Sequence, residues 1–181
     1  MSGPGGLPRP RSEADAGPRP APRPPAGLPG CRRRDRARGL WNLLNLSTPL
    51  GVAGAVATGC ALSPGPHGLL RADGWRFPFP GGAAFTVGDV VFTRPGLRMT
   101  DDLWRHEGTH SAQYAACLGL PFLPLYAAAV AWSTWRTGDP ASRNPFERGA
   151  GLVRGGYVER AVVRGPGRAR PDGHAGPGKR V

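Results

Sequence analysis

His106-Glu107-Gly108-Thr109-His110 decides how this chain is read. The pattern is HExxH, and it uses two of the four histidines in 181 residues. On an α-helix, residues four apart stand one above the other on the same face. Both imidazoles then reach one metal ion, and Glu107 projects beside them. Zinc-dependent hydrolysis needs that grouping: two neutral nitrogen ligands, a third protein ligand, an open position, and a carboxylate that takes a proton from water. Chance would place the pattern in roughly 0.2% of chains with this His and Glu content, counting it as a plain residue match. Coincidence is therefore a poor explanation, and the motif speaks for metal binding before it speaks for catalysis.

Working outward, the motif sits in a predicted helix from Thr100 to Leu118. Thr100 is the expected N-cap, and Asp101 and Asp102 suit the positive end of the helix dipole. Leu103, His106, Glu107, His110, Gln113, Tyr114 and Cys117 share one face, while Trp104, Gly108, Ala112 and Ala115 lie toward the other. Upstream, Ala84 to Thr93 reads as two β-branched and aromatic runs around Gly88-Asp89, a hairpin or one bulged strand. Leu69 to Phe79 reads as a hairpin turning at Asp73-Gly74. Downstream, Asn144-Pro145-Phe146-Glu147 opens a last helix with Asn at N-cap, Pro at N1 and Glu at N3, running to Leu152 or Val153. The fold class expected is α+β: short antiparallel strands, the HExxH helix, an apolar helical segment, and a helix bearing a third ligand.

Two histidines leave zinc one protein ligand short. The candidates are Asp139, Glu147, Glu159 and His174 downstream and His67 upstream. Glu147 is favoured because it opens a predicted helix at a distance that lets the chain fold back. Its competing role is local, as the N3 residue of a capping box. His174 and Glu159 lie in or near a Gly/Pro/Arg tail, and His67 lies in a Pro/Gly loop.

HEGTHSAQY, preceded by FTVGDVVFT and followed by NPFERGA, resembles the bacterial metallopeptidases of the gluzincin type over about residues 84–153. The resemblance implies a small zincin-like domain that binds Zn²⁺ through His106, His110 and Glu147, with Glu107 as general base. It implies a peptide or protein substrate, held along an edge strand between Val87 and Phe92. Gln113 matches a Gln of that family without an assigned role. Tyr114, Tyr126 and Tyr157 are the candidates for a second donor to the transition state.

Two charge-free runs interrupt this scheme. Leu40–Leu62 and Tyr114–Trp135 are each about as long as a bilayer is thick, but Pro49, Pro121 and Pro124 should break or kink any helix through them. Trp132, Trp135 and Arg136 close the second run as aromatics and a cation do at a membrane interface. The expectations are a membrane surface or bilayer as partner, or a buried helical hairpin.

The net charge is +12, and it lies in the tails. Residues 1–39 hold nine Arg against three acids, and residues 160–181 hold five Arg and Lys179 against Asp172. Residues 40–159 hold nine Arg against eight acids. The tails are rich in Pro, Gly and Arg without hydrophobic periodicity, so disorder is expected there and one domain over 40–159. Basic tails attract anionic partners without sequence specificity, or are simply solvated. Cys31, Cys60 and Cys117 are odd in number and form no CxxC, which fits a reducing compartment. Cys117 is expected to pack rather than ligate. No apolar h-region is seen in the first 39 residues, so the expected location is the cytoplasm or the cytoplasmic side of a membrane.

The leading expectation is a membrane-associated zinc metallopeptidase. The alternative is a non-catalytic, zinc-stabilised domain at a membrane. A third reading is a basic-tailed adaptor with a fortuitous motif.

Overall fold

The structure is a computed structural model and describes residues 32–162. His174 and the expected tails up to residue 31 and from 163 onward lie outside the described residues. The amino-terminal boundary moves, because residues 33–39 belong to a helix. That helix, α1 (Arg33–Leu44), begins where Asp35 Oδ2 accepts the Arg32 backbone N–H at 3.0 Å. A charge-dense first half hid it from any reading based on apolar periodicity.

The remaining elements are α2 (Ser47–Ala57), β1 (Ala61–Pro64), β2 (Leu70–Asp73), β3 (Ala84–Val87), β4 (Val90–Thr93), α3 (Asp101–Ala116), α4 (Phe122–Thr137) and α5 (Pro145–Ala150). The class is α+β, as the sequence implies. The strands form one sheet in the order β1-β2-β4-β3. β3 and β4 are antiparallel around Gly88-Asp89, β1 and β2 are antiparallel, and β2 runs parallel to β4. The Asp73-Gly74 hairpin does not form. Gly74 and Trp75 instead donate their backbone N–H groups to Thr93 O, both at 3.0 Å. Trp75 then turns into the core, where its ring lies 5.0 Å from Phe85 and 5.4 Å from Phe92.

Alternation along β3 separates two environments. Phe85 stacks on its cross-strand partner Phe92 at 4.7 Å, with Trp75 against both. That cluster joins Ala55, Cys60, Ala72 and Val90 in the core under α2. Thr86, one residue on, points to the opposite side and meets α3.

Gly88 is required by both its conformation and its surroundings. Its φ is +60°, and a Cβ there would fall 2.4 Å from Thr48 N at the start of α2. Beside it, the buried Asp89 gathers three helices. Its carboxylate accepts from Arg38 Nε on α1 at 3.0 Å, from Thr48 Oγ1 on α2 at 3.1 Å, and from Ser111 Oγ on α3. Asn42 Nδ2 donates to it at 3.2 Å.

The prolines fall where helices begin. Pro49 is in the first turn of α2, Pro121 is the N-cap of α4, and Pro124 is in its first turn. Proline is tolerated at such positions because the first N–H groups have no intrahelical acceptor. The two charge-free runs therefore divide among separate elements. Among the described residues, no helix is long and apolar enough to cross a membrane.

Candidate metal centre

α3 forms as its sequence implies, with Thr100 Oγ1 accepting from Leu103 N at 3.2 Å. It presents His106, Glu107 and His110 from its buried face. α5 starts with Asn144 Oδ1 accepting from Phe146 N at 3.0 Å, and it ends at Ala150, earlier than expected. Gly151 then leaves the helix at φ +90°. This short helix delivers Glu147 to the two histidines, so the favoured third-ligand candidate is the one brought to the cluster.

His106 Nε2 lies 3.3 Å from Glu147 Oε2, and His110 Nε2 lies 3.5 Å from Glu147 Oε1. The two Nε2 atoms are 3.2 Å apart. His106 and Glu147 are 2% exposed and His110 7%. Two further contacts fix the ring tautomers. His106 Nδ1 faces the Gly151 carbonyl at 3.2 Å, so that nitrogen carries the proton. Gln113 donates from Nε2 to Phe146 O at 2.9 Å, which leaves its Oε1 to accept from His110 Nδ1 at 2.8 Å. Both Nε2 lone pairs therefore face the carboxylate and each other.

This arrangement fits a metal. Zinc with ligands at about 2.0–2.1 Å in a tetrahedron sets neighbouring ligand atoms about 3.3–3.4 Å apart. The Nε2–Nε2 separation is close to that value, and each ring nitrogen lies at a similar distance from one of the two oxygens of Glu147. Among the described residues, Glu147 Oε2 is also buried with no hydrogen-bond partner, an orphan that a cation would satisfy. The other carboxylate oxygen accepts from the Tyr126 hydroxyl. The group His106, His110 and Glu147 could thus hold a metal ion.

The electrostatics point the same way. Burial would raise the Glu147 carboxyl, but His106, His110 and the Tyr126 hydroxyl together hold it well below the usual carboxylate range. Burial lowers the His110 imidazole, and Glu147, with Glu107 and Gln113, more than reverses this. The site draws positive charge, whether as a proton or as a metal ion. Glu107 behaves differently. Burial raises its carboxyl, only partly offset by the charge of His110, the hydrogen bond from Thr86 and the charge of His106. Thr86 Oγ1 donates to Glu107 Oε2 at 2.6 Å, which turns that carboxylate toward β3.

The other sequence candidates lie elsewhere. His67 is 3.8 Å from Asp35 in a 3₁₀ turn. Asp139 caps the loop before α5 through Ala141 and Ser142. Glu159 pairs with Arg148 and Arg143. Of the three tyrosines, Tyr126 meets Glu147 and Tyr157 lies 6.0 Å from the His106 ring. Tyr114 packs against Phe122 at 4.4 Å. Cys117 caps α3 as a free thiol without joining the cluster. Three contributors carried no sequence signal: Thr86, the Gly151 carbonyl, and Gly155. A Cβ on Gly155 would fall 2.5 Å from His106 Cε1, so the segment after α5 is laid directly on that ring.

A cleft of about 600 Å³ lies on another side of α3, among Arg34, Arg38, His67, Trp104, Arg105 and Arg154, and not at the cluster. No family model matches this sequence, and no curated protein or solved structure matches it.

Proposed function

We propose that this chain is a zinc-dependent hydrolase of peptide bonds, with His106, His110 and Glu147 as ligands and Glu107 as general base. The observation that carries the reading is the convergence of two imidazole nitrogens, 3.2 Å apart, on one buried carboxylate, with His106 Nε2 3.3 Å from Glu147 Oε2, His110 Nε2 3.5 Å from Glu147 Oε1, and both ring Nδ1 atoms engaged elsewhere. Two imidazoles and one carboxylate form a donor set suited to zinc. Zinc in such a site supplies a Lewis acid that polarises a carbonyl and eases the ionisation of water.

The chain's own residues account for the rest. Glu107 follows a ligand by one residue, so it stands beside the triad without completing it. Its raised affinity for protons suits a base that removes one from the attacking water and returns it to the leaving amine. The Thr86 hydroxyl fixes the orientation of that carboxylate. The stretch from Val87 to Phe92 is not the edge strand expected, because β4 is paired on both sides; among the described residues β3 pairs with β4 alone and forms the edge of the sheet. Its outer edge offers backbone groups to an extended peptide, in the manner of strand addition. Tyr157, close to His106, is the candidate donor to the developing oxyanion.

A second reading is favoured by the burial of the triad under the Gly155 segment. In it the metal only stabilises the fold. The deciding experiment measures bound metal in the full chain, then hydrolysis of a broad peptide library by the wild type and by Glu107→Gln. Zinc near one equivalent with hydrolysis that Glu107→Gln abolishes supports the enzyme. Zinc without hydrolysis leaves the structural role. Absence of bound zinc, even after reconstitution, overturns both.

A further inference from the structure

Three of the helices leave large apolar side chains on their outer faces. α4 buries Phe122, Ala129, Ser133 and Thr137, whereas Leu123, Leu125, Trp132 and Trp135 are exposed, the last by 71%. On α2, Ser47, Gly51 and Ala55 face inward while Leu50 and Val56 face outward. On α1 the buried residue is Asn42, and Leu40, Leu43 and Leu44 are exposed. A helix that is apolar on its outer face belongs in a core or in lipid, not in water. With 16 residues, α4 is about 24 Å long, short of a hydrocarbon core of about 30 Å.

The turns between these helices are the sharpest instance. Leu46 joins α1 to α2 at φ +68°, and Leu118 joins α3 to α4 at φ +60°. Leucine disfavours this left-handed region, which costs the fold and is normally left to Gly or Asn. Both leucines are nevertheless largely exposed, at 60% and 66%. The two turns are neighbours: Gly119 backs onto Asn45 so closely that a Cβ there would fall 2.6 Å from Asn45 Cγ. Trp41 Nε1 also donates across to Ala115 O at 3.0 Å.

We infer that the two leucine turns and the outer face of α4 dock on an anionic lipid bilayer, lying in its interface without crossing it. Charge selects this occupant. No acid occurs in residues 36–72 or 108–138, the segments that carry the face. Arg136 lies over Trp132 and Trp135, at 5.5 and 5.8 Å from the ring centroids, an arrangement suited to headgroup depth. The terminal segments are poor covers, since residues 1–31 hold only Met1, Leu7 and Leu28 as large apolar side chains and residues 163–181 only Val163 and Val181. A second copy would bring the same positive charge to the contact. The docking holds whether or not the metal centre is catalytic.

The test is flotation of the full chain with vesicles of phosphatidylcholine alone and of phosphatidylcholine with phosphatidylglycerol. Binding is expected to favour the anionic vesicles and to shift tryptophan emission to the blue. The double variant Leu46→Asn, Leu118→Asn separates insertion from folding, because Asn tolerates the left-handed backbone. Its thermal midpoint should equal or exceed the wild type, while vesicle binding drops roughly tenfold or more with two leucines no longer inserted. Trp132→Ser with Trp135→Ser should weaken binding as well and remove most of the emission shift. Binding unchanged in these variants overturns the proposal and assigns adhesion to the basic tails. A stable dimer that never floats overturns it in favour of a second copy as occupant.

Discussion

His110 Nδ1 and Gln113 Oε1 lie 2.8 Å apart on α3, the helix that also carries His106. The other end of the Gln113 amide donates to Phe146 O, next to Glu147 in the chain. One side chain therefore orients the His110 ring and joins α3 to α5 beside Glu147. Gln113→Ala should leave the fold intact and weaken zinc affinity by about 10–100-fold, the usual effect of removing such a partner. Competition with a chelator measures it. Wild-type affinity in the variant would show that Phe146 and His110 are held by other means.

Glu107→Gln should keep metal and fold while lowering peptide hydrolysis by about 10²–10⁴, the range for losing a general base. Thr86→Val should have a smaller effect in the same direction, because it frees the Glu107 carboxylate without removing it. Steady-state kinetics on one cleaved peptide give both values. Equal losses in the two variants would mean that Thr86 does more than orient.

Gly155→Ala places a methyl group 2.5 Å from His106 Cε1 and 2.7 Å from Nε2. The ring cannot retreat freely, because its Nδ1 is tied to Gly151 O. Zinc affinity should fall by about tenfold or more. Unchanged affinity, measured by metal titration, would show that the segment yields and the ring does not.

Acid should loosen the loop that carries α5 before it unfolds the sheet. Burial raises the Asp139 carboxyl, but hydrogen bonds from Ser142 and Ala141 and the Arg160 charge outweigh this, so it sits below its ordinary 3.8. A depressed folded value means that the contribution is complete above pH 3.8 and is lost as pH falls through the folded value. Amide exchange of residues 141–148 should therefore rise in acid ahead of β4. Asp139→Asn should raise that exchange at neutral pH and flatten its dependence on acid. A variant with the wild-type acid profile would place the sensitivity elsewhere.

The grouping of His106, His110 and Glu147 was legible because local rules and tertiary structure agree at these residues. HExxH needs only helical spacing, and Asn144-Pro145 marks a helix start that a six-residue helix obeys. The Gly88-Asp89 turn was legible for the same reason. Where tertiary packing overrode the local signal, the sequence misled. Asp73-Gly74 has the chemistry of a hairpin turn, yet β2 finds its partners in β1 and β4, and Trp75 goes to the Phe85–Phe92 stack. Thr86 and Gly151 reach the site through pairings that no short window contains. The start of α1 is stabilised by Asp35 and by long-range contacts of Arg38, not by an apolar stripe. The apolar runs were visible, but only the structure distinguishes which of their side chains are left outside.

The Asp89 carboxylate has a consequence for how the chain comes together. Its donors Arg38, Thr48 and Ser111 are 51, 41 and 22 residues away in the chain. Of these only Arg38 is charged, and taking it from the buried carboxylate would break a buried ion pair, a loss of about 3–5 kcal/mol. The carboxylate therefore ties the β3–β4 turn to α1, α2 and α3 at once, and the face of α3 that carries His106 and His110 shares this anchor with the amino-terminal helices.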